Sequence, residues 1–311
     1  ARPGEQIGDG FGLEAPETVP LMSVQVEPTA PLTQSALLAH LREMEEEDPL
    51  LSVRPEADGV SVGVMGAVQV EVLQGILAAR FGDVVRMCPP HVLYKETIAA
   101  PAVGIGHYEP LRHYAEVWLK LEPGAPGSGI SFAADCPPNS LDENWQRLIR
   151  THVFERAHPG VLTGSPLCDV RIRLIAGRAH LKHTEGGDFR EATCRAIRNA
   201  LMQAENVLLE PVVRFELAMP NEALARVTGE LLRIGAQLDA SETDGGETTL
   251  TGRCTAAMFW DYPTRFAAST HGHGRIASRF DRYEPCKNQD DIVRQSGYDP
   301  LADTLNPPGS V

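Results

Sequence analysis

Residues 20–44 read PLMSVQVEPTAPLTQSALLAHLREM and place a strand directly before a helix. Apolar and polar residues alternate over residues 21–27, which is typical of a half-buried strand. The helix that follows has one apolar stripe, formed by Leu37, Leu38, Leu41 and Met44. Thr33 stands where a hydroxyl would cap the first turn of this helix. The stretch therefore predicts a strand followed by an amphipathic helix.

The residues after this helix continue the alternation of strands and helices. In chain order they predict a strand over 50–54, the turn Asp58-Gly59, a strand over 60–65, a second helix and a strand over 84–88. The apolar residues of the second helix are Val68, Val72, Leu73, Ile76 and Leu77. The order of elements in this unit is βαββαβ.

The same order of elements recurs near the end of the chain. Strands are predicted over 212–218, 237–241, 248–254 and 276–283, with helices over 222–233 and 259–266. Asn221 is the candidate cap of the first of these helices. The sequence thus predicts two βαββαβ units of about the same size, each with four strands and two helices.

The middle of the chain has a different pattern. Strands are predicted over 114–121, 130–134 and 168–175, and helices over 141–157 and 189–204. The two ends are irregular apart from a short helix near residues 290–295. Because 311 residues are too many for one ordinary core, we expect three α+β domains.

Composition limits the classes of function. The formal net charge of -14 argues against wrapping by nucleic acid, which needs basic residues along the phosphate backbone, but it permits a local contact. The sequence has no apolar run near the roughly 18 residues of a membrane span. Its six cysteines form no close CxxC pair. We expect a cytosolic protein with free thiols that does not bind membranes.

Short motifs follow one another in a definite order. They are VEP at 26–28, EDPL at 47–50, MG at 65–66, GSG at 127–129, GVLTG at 160–164, DF at 188–189, LLEP at 208–211, PNE at 220–222 and THG at 270–272. In this order they resemble landmarks of domains III, IV and V of elongation factor G and its relatives, over about residues 20–284. The closing YEPC at 283–286, before a helical tail, resembles the tetracycline ribosomal-protection proteins more closely than it resembles elongation factor G.

The resemblance implies a multidomain α+β fold. Two ferredoxin-like βαββαβ domains, residues 20–98 and 209–284, would flank a ribosomal-protein-like α+β domain of the elongation factor G domain IV type, residues 99–208. Residues 1–19 resemble the end of a preceding β-barrel domain, and 285–311 would form a C-terminal tail with a short helix.

The sequence contains no GxxxxGK[ST] phosphate-binding loop. We therefore expect no catalytic residue and no cofactor in this chain, with GTP and Mg²⁺ bound only by a G domain outside it. On this interpretation the chain is the C-terminal portion of a ribosome-dependent GTPase. The alternative is a natural paralogue that lacks a GTPase domain.

A basic stretch in the middle domain is the candidate binding site. Residues 171–198 contain seven basic and three acidic residues, and the polar, glycine-rich loop 177–187 lies within them. A solvated loop is the simpler interpretation. The functional one is a contact with rRNA, where cations bind phosphates and rings stack on bases.

The resemblance makes this loop the tip that reaches the decoding region of the small subunit, beside a second loop. The residues expected to contact rRNA are Arg178, His180, Leu181, Lys182, His183 and Thr184 in the first loop, and Pro110, Leu111, Arg112, His113 and Tyr114 in the second. The protection proteins carry Ser-Pro-Val at the tip, where this sequence has Leu181-Lys182-His183. The expected partner is the ribosome, its rRNA and proteins, bound by a monomer.

Two alternatives stay open. One is a translocation factor of the elongation factor G type. The other is a metal- or cysteine-dependent enzyme that uses His271 and His273, with Asp281 nearby, or Cys136. No third metal ligand stands at a diagnostic spacing from the two histidines. Bound metal, or turnover by the chain, would distinguish the enzyme from a binding module.

Overall fold

The computed structural model describes residues 20–56 and 59–307. The predicted barrel remnant at residues 1–19 and Asp58 of the first turn lie outside these ranges. The described chain divides into two compact units, one of residues 20–93 and 211–282 and the other of residues 94–210 and 283–307. Helices and several sheets occur together. The predicted α+β multidomain fold is confirmed.

The first βαββαβ motif lies in the first unit. Its elements are β1 Met22–Pro28, α1 Gln34–Glu47, β2 Arg54–Pro55, β3 Val60–Val64, α2 Ala67–Phe81 and β4 Val85–Val92. The strands form one sheet in the order β2-β3-β1-β4. Strand β1 lies antiparallel to both neighbours, with Val24 opposite Val62. This is the strand order of a ferredoxin-like fold.

Local sequence explains most of this motif. The Thr33 hydroxyl accepts the Ala36 N–H at 3.3 Å and caps α1, as predicted. Leu37, Leu41 and Met44 are buried on one face of α1. On α2 the expected apolar set is only partly buried. Leu73 and Leu77 enter the core, whereas Val68, Val72 and Ile76 are exposed.

The prediction of a strand over residues 50–54 is wrong. Pro49–Leu51 form a 3-10 turn, and only Arg54–Pro55 pair with β3. The cause is local, because the Asp48 carboxylate accepts the Leu50 N–H at 3.1 Å. Pro49 at the first position also favours a helical turn.

The second βαββαβ motif begins with a long strand. Its elements are β10 Asn206–Pro220, α5 Leu224–Arg233, β11 Gln237–Asp244, β12 Glu247–Thr255, α6 Ala256–Phe259, α7 Tyr262–Ser269 and β13 Arg275–Pro285. The strand order is β11-β12-β10-β13. Two details differ from the prediction. The single helix expected at 259–266 is two short helices, and a fifth strand, β5 Lys95–Ile98, pairs with the start of β10.

Asn221 does not cap a helix as predicted. Residues Asn221–Ala223 form a 3-10 turn before α5, and the Asn221 side chain makes no cap hydrogen bond there. Its Oδ1 accepts the Thr248 hydroxyl at 2.7 Å instead. The side chain therefore ties the turn to the β11-β12 hairpin.

The second unit contains the sheet that carries the candidate site. Its elements are β6 Ala102–Tyr108, β7 Ala115–Pro123, β8 Ile130–Ala134, α3 Glu143–Phe154, β9 Val170–Ala179, α4 Gly186–Gln203 and α8 Gln289–Ser296. The strand order is β6-β7-β9-β8, with β8 and β9 parallel. The short C-terminal helix α8 confirms the prediction for residues 290–295. Strand β6 was not predicted.

Strand β6 lies against α4 at unusually short range. A Cβ atom on Gly106 would lie 1.7 Å from the Ala192 carbonyl oxygen, and one on Gly104 would lie 2.0 Å from that of Ala196. Glycine is therefore required at both positions for α4 to cover the sheet. Among the described residues, no helix is long and apolar enough to cross a membrane.

Candidate nucleic-acid interface

Two loops meet at one end of the sheet of the second unit. The β6-β7 loop, residues 109–114, and the β9-α4 loop, residues 180–185, are called here the tip loops. The Tyr114 N–H donates to the His183 carbonyl at 2.9 Å, and the Thr184 hydroxyl donates to the Tyr114 carbonyl at 2.6 Å. The structure thus brings together the two segments that were predicted from the sequence to contact rRNA.

The β9-α4 loop is shorter than expected. Gly177, Arg178 and Ala179 belong to β9, and Gly186 already begins α4. Gly177 is buried, so the prediction that the whole stretch 177–187 is exposed loop is wrong. The loop is shorter because β9 continues to Ala179, with Arg178 paired in register with Glu116 of β7.

His180 organises the remaining loop. Its carbonyl accepts the N–H groups of His183 and Thr184 at 3.1 and 3.0 Å, and its own N–H donates to the Thr184 hydroxyl at 2.7 Å. The rings of His180 and His183 stack with centroids 4.6 Å apart. The turn lifts Leu181 and Lys182 into solvent, where both are exposed.

The β6-β7 loop is held by hydrogen bonds at its base. The His113 N–H donates to the Pro110 carbonyl at 2.9 Å, and Arg112 adopts a left-handed conformation with φ of 65°. Leu111 is 91% exposed, and Arg112 is exposed beside it. Each tip loop therefore presents a leucine followed by a basic residue.

Tyr114 is less available than the sequence suggested. Its hydroxyl donates to the Glu116 carboxylate at 3.1 Å. Burial, and then this hydrogen bond, raise the pKa of Tyr114, so the phenol stays neutral at physiological pH. Its ring meets the His107 ring edge-on at 5.6 Å. We assign Tyr114 to the base of the tip rather than to its surface.

Most of the basic stretch 171–198 is engaged inside the protein. Arg173 forms an ion pair with Asp135, and Arg190 forms one with Glu155. Arg195 donates a hydrogen bond to the His107 carbonyl. Arg198 is buried, with 3% of its surface exposed. Arg178 and Lys182, by contrast, form no ion pair with any described residue. The positive charge counted over residues 171–198 is therefore not one exposed basic surface. Arg171, exposed at the start of β9, also has no ion pair among the described residues, so only part of the unpaired positive charge lies at the tip.

Sequence reasoning missed the residue that joins the tip loops. Asp188, in the first turn of α4, contacts His113 and also accepts the Glu185 N–H at 2.8 Å. Glu185 and Asp188 form a capping box. The acidic pair at positions i and i+3 before a helix was the available signal.

The residues of the enzyme alternative do not form a site in the described part of the chain. His271 and His273 are exposed, and Cys136 is buried with its sulfur 3.8 Å from the Pro137 carbonyl. Within residues 20–56 and 59–307, no three His, Cys, Asp or Glu side chains are grouped as metal ligands.

Comparison with known proteins identifies the family. Residues 90–205 match the family described as elongation factor G, domain IV, and residues 207–292 match the elongation factor G C-terminus. A crystal structure of a protein from Thermus thermophilus is also similar, with 25% identity and a TM-score of 0.74. The alignment covers 93% of this chain and 45% of that protein.

These matches place the chain among the translation factors. It belongs to the elongation factor G family and carries domain IV and the C-terminal domain of that family. The chain spans less than half the length of the similar protein from Thermus thermophilus.

Proposed function

We propose that this chain is the ribosome-binding portion of a translation GTPase and that its tip loops contact small-subunit rRNA near the decoding site. The observation that supports this proposal is the pairing of the tip loops. Together they expose Leu111, Arg112, Leu181 and Lys182 at one end of the sheet of the second unit. The hydrogen bonds between Tyr114 and the loop 183–184 fix the two loops relative to each other.

The chemistry of the tip suits single-stranded or looped RNA. Arg112, Arg178 and Lys182 supply cations for phosphates, and the stacked His180 and His183 rings supply a surface for bases. The rest of the chain is acidic, with a formal net charge of -14. Repulsion from phosphate therefore disfavours RNA contact over the acidic remainder of the chain.

Within the family, the proposed branch is that of the tetracycline ribosomal-protection proteins. The support is the closing Tyr283-Glu284-Pro285-Cys286 followed by helix α8. The second candidate is a translocation factor, which is favoured by Leu181-Lys182-His183 at the tip in place of Ser-Pro-Val. Translation measured with and without tetracycline separates the two, because only a protection protein restores synthesis in the presence of the drug.

GTP and Mg²⁺ are assigned to a G domain outside this chain. The support is the lack of a phosphate-binding loop in the sequence and the greater length of the similar protein. The same proposal makes the protein a cytosolic monomer that reaches the ribosome by diffusion.

A double substitution tests the role of the tip. Lys182→Ala with His183→Ala removes a cation and one ring of the stacked pair. Binding to ribosomes, measured by sedimentation, should weaken, while the circular dichroism spectrum stays unchanged. Arg150→Ala, which removes an exposed cation from α3, is the matched control and should bind as the parent does. Unchanged affinity of the folded double variant would show that the tip is an inert solvated loop.

A further inference from the structure

A small cavity lies in the second unit between α4, the loop after α3 and the C-terminal tail. Its volume is about 60 Å³, which exceeds the roughly 10–15 Å³ that one water needs. One acidic residue, Glu191, lines the cavity. Four arginines also line it, namely Arg156, Arg190, Arg195 and Arg198. The cavity is separate from the tip loops, whose residues do not line it.

Two of these arginines carry unsatisfied donors. The Nε atoms of Arg195 and Arg198 are buried and have no hydrogen-bond partner among the described residues. Arg198, itself 3% exposed, uses its other nitrogens fully. Nη1 donates to the Gly160 carbonyl at 2.8 Å, and Nη2 donates to the Tyr298 hydroxyl at 2.8 Å and the Pro300 carbonyl at 2.9 Å. A buried donor on a charged group is strongly unfavourable when it has no acceptor, so an acceptor is expected.

The charges around the cavity are not balanced. Arg190 pairs with Glu155 at 2.7 Å, and Arg198 lies 3.8 Å from Asp303. Arg156, however, bonds only to the neutral side-chain amide of Asn306. Arg195 lies over the Tyr108 ring and donates to a backbone carbonyl. Neither Arg156 nor Arg195 has a carboxylate partner in the described chain, and the lining Glu191 offsets only one of these two cations, so the net charge of the cavity wall favours an anion.

We infer that this cavity binds one tetrahedral oxyanion, either free inorganic phosphate or the phosphate group of a small monoester. Arg156 and Arg195, the two lining cations without a carboxylate partner among the described residues, would supply charge-assisted hydrogen bonds to the anion. Tail residues Leu305, Asn306 and Pro307 also line the cavity. The anion would therefore link the tail to α4. This inference does not depend on the proposed contact with rRNA.

Calorimetry with inorganic phosphate and the whole chain tests the site. The expected result is saturable binding of one phosphate per chain. Arg156→Gln and Arg195→Gln should each weaken it by about tenfold or more, the usual loss for one charge-assisted hydrogen bond. Arg147→Gln, which removes an exposed cation from α3 outside the cavity, should bind as the parent does. Adenosine 5′-monophosphate in a parallel titration shows whether an esterified phosphate also enters.

Cys194 gives a second readout, because it lines the cavity. Phosphate should slow the alkylation of Cys194, measured by peptide mass spectrometry, and should leave that of Cys88, which lies outside the cavity, unaffected. If Arg195→Gln fails to fold, the exposed Arg156 still decides the question. The inference is overturned by the lack of saturable binding at millimolar phosphate, by equal affinity in all variants, or by an unprotected Cys194. The first of these results would mean that water alone occupies the cavity.

Discussion

The carboxylate of Asp188 lies 2.9 Å from Nδ1 of His113 and so connects the start of α4 to the opposite tip loop. Its second oxygen accepts the Glu185 N–H at 2.8 Å. Asp188 is buried in the first turn of α4, where the helix dipole favours a negative charge. One side chain thus caps a helix and positions both tip loops.

The first prediction concerns this connection. Asp188→Ala should lower the free energy of unfolding by about 1–2 kcal/mol, the usual cost of losing a cap, and should speed amide hydrogen exchange in residues 109–114. Asp142→Ala is the matched control, because Asp142 caps α3 with a 2.8 Å hydrogen bond to the Asn144 N–H. The control should lose similar stability and leave exchange in 109–114 unchanged. Equal exchange in both variants would contradict the positioning role.

The second prediction concerns the salt dependence of ribosome binding. Lys182→Ala should reduce the slope of log affinity against log salt by roughly 0.9, because one phosphate contact is lost. Since the side chain is exposed, the free energy of unfolding should change by no more than about 0.5 kcal/mol. Filter binding over a salt series measures the slope. If the slope for Lys182→Ala equalled that of the unsubstituted protein, Lys182 would not contact a phosphate in the interface.

Local signals predicted the elements whose apolar residues face the core. Helix α1, with its Thr33 cap and buried Leu37 and Leu41, follows from spacing alone. Strand β6 shows why other elements were missed. Its glycines, Gly104 and Gly106, face α4, while Val103 and Ile105 are exposed. A strand whose inner face is glycine gives no apolar alternation, so periodicity does not detect it.

The candidate site was predicted in part. The resemblance to the family nominated both tip loops, and the structure brings them together through Tyr114 and His183. The number of basic residues along α4 did not predict an exposed positive surface, because it does not show which arginines have partners within the protein. Arg190 is paired with Glu155 and Arg198 is buried against the tail. Partners distant in sequence, such as Tyr298, become visible only in the fold.

The third prediction tests the glycine face of β6. Gly106→Ala should lower the free energy of unfolding by about 1–3 kcal/mol, because the added methyl group would overlap the backbone of α4. Gly75→Ala is the contrasting variant. A Cβ at Gly75 meets no atom within 4 Å, so this substitution inside α2 should stabilise the protein by about 0.5–1 kcal/mol. Urea unfolding measures both. A neutral Gly106→Ala would mean that α4 does not lie this close to β6.

The fourth prediction concerns nucleotide. This chain should neither bind nor hydrolyse GTP, since phosphoryl transfer depends on positioning groups that its sequence lacks. Calorimetry with GTP and Mg²⁺ measures binding, and phosphate release measures hydrolysis. Binding of GTP with micromolar affinity would contradict the assignment of nucleotide to a domain outside this chain. Weak GTP binding that competes with inorganic phosphate and disappears in Arg156→Gln would instead indicate binding in the arginine-lined cavity.

The last prediction is a dependence of stability on pH that arises from His158. This histidine is buried, and its Nε2 lies 2.9 Å from the Val153 carbonyl. Burial lowers the pKa of His158 below its ordinary value of 6.5. The unfolded chain therefore binds a proton at a higher pH than the folded chain does. Between these two pKa values the unfolded state holds more protons, so the free energy of unfolding falls as the pH falls.

His158→Gln should remove this dependence, because a glutamine amide can still donate to the Val153 carbonyl but does not titrate. From about pH 7 to about pH 5, the stability of the parent should fall more steeply than that of the variant in urea unfolding. His273→Gln, which removes an exposed histidine, should keep the parent's steeper fall. Parallel curves for the parent and His158→Gln would show that His158 takes up its proton equally well in the folded and unfolded chains, in conflict with its burial.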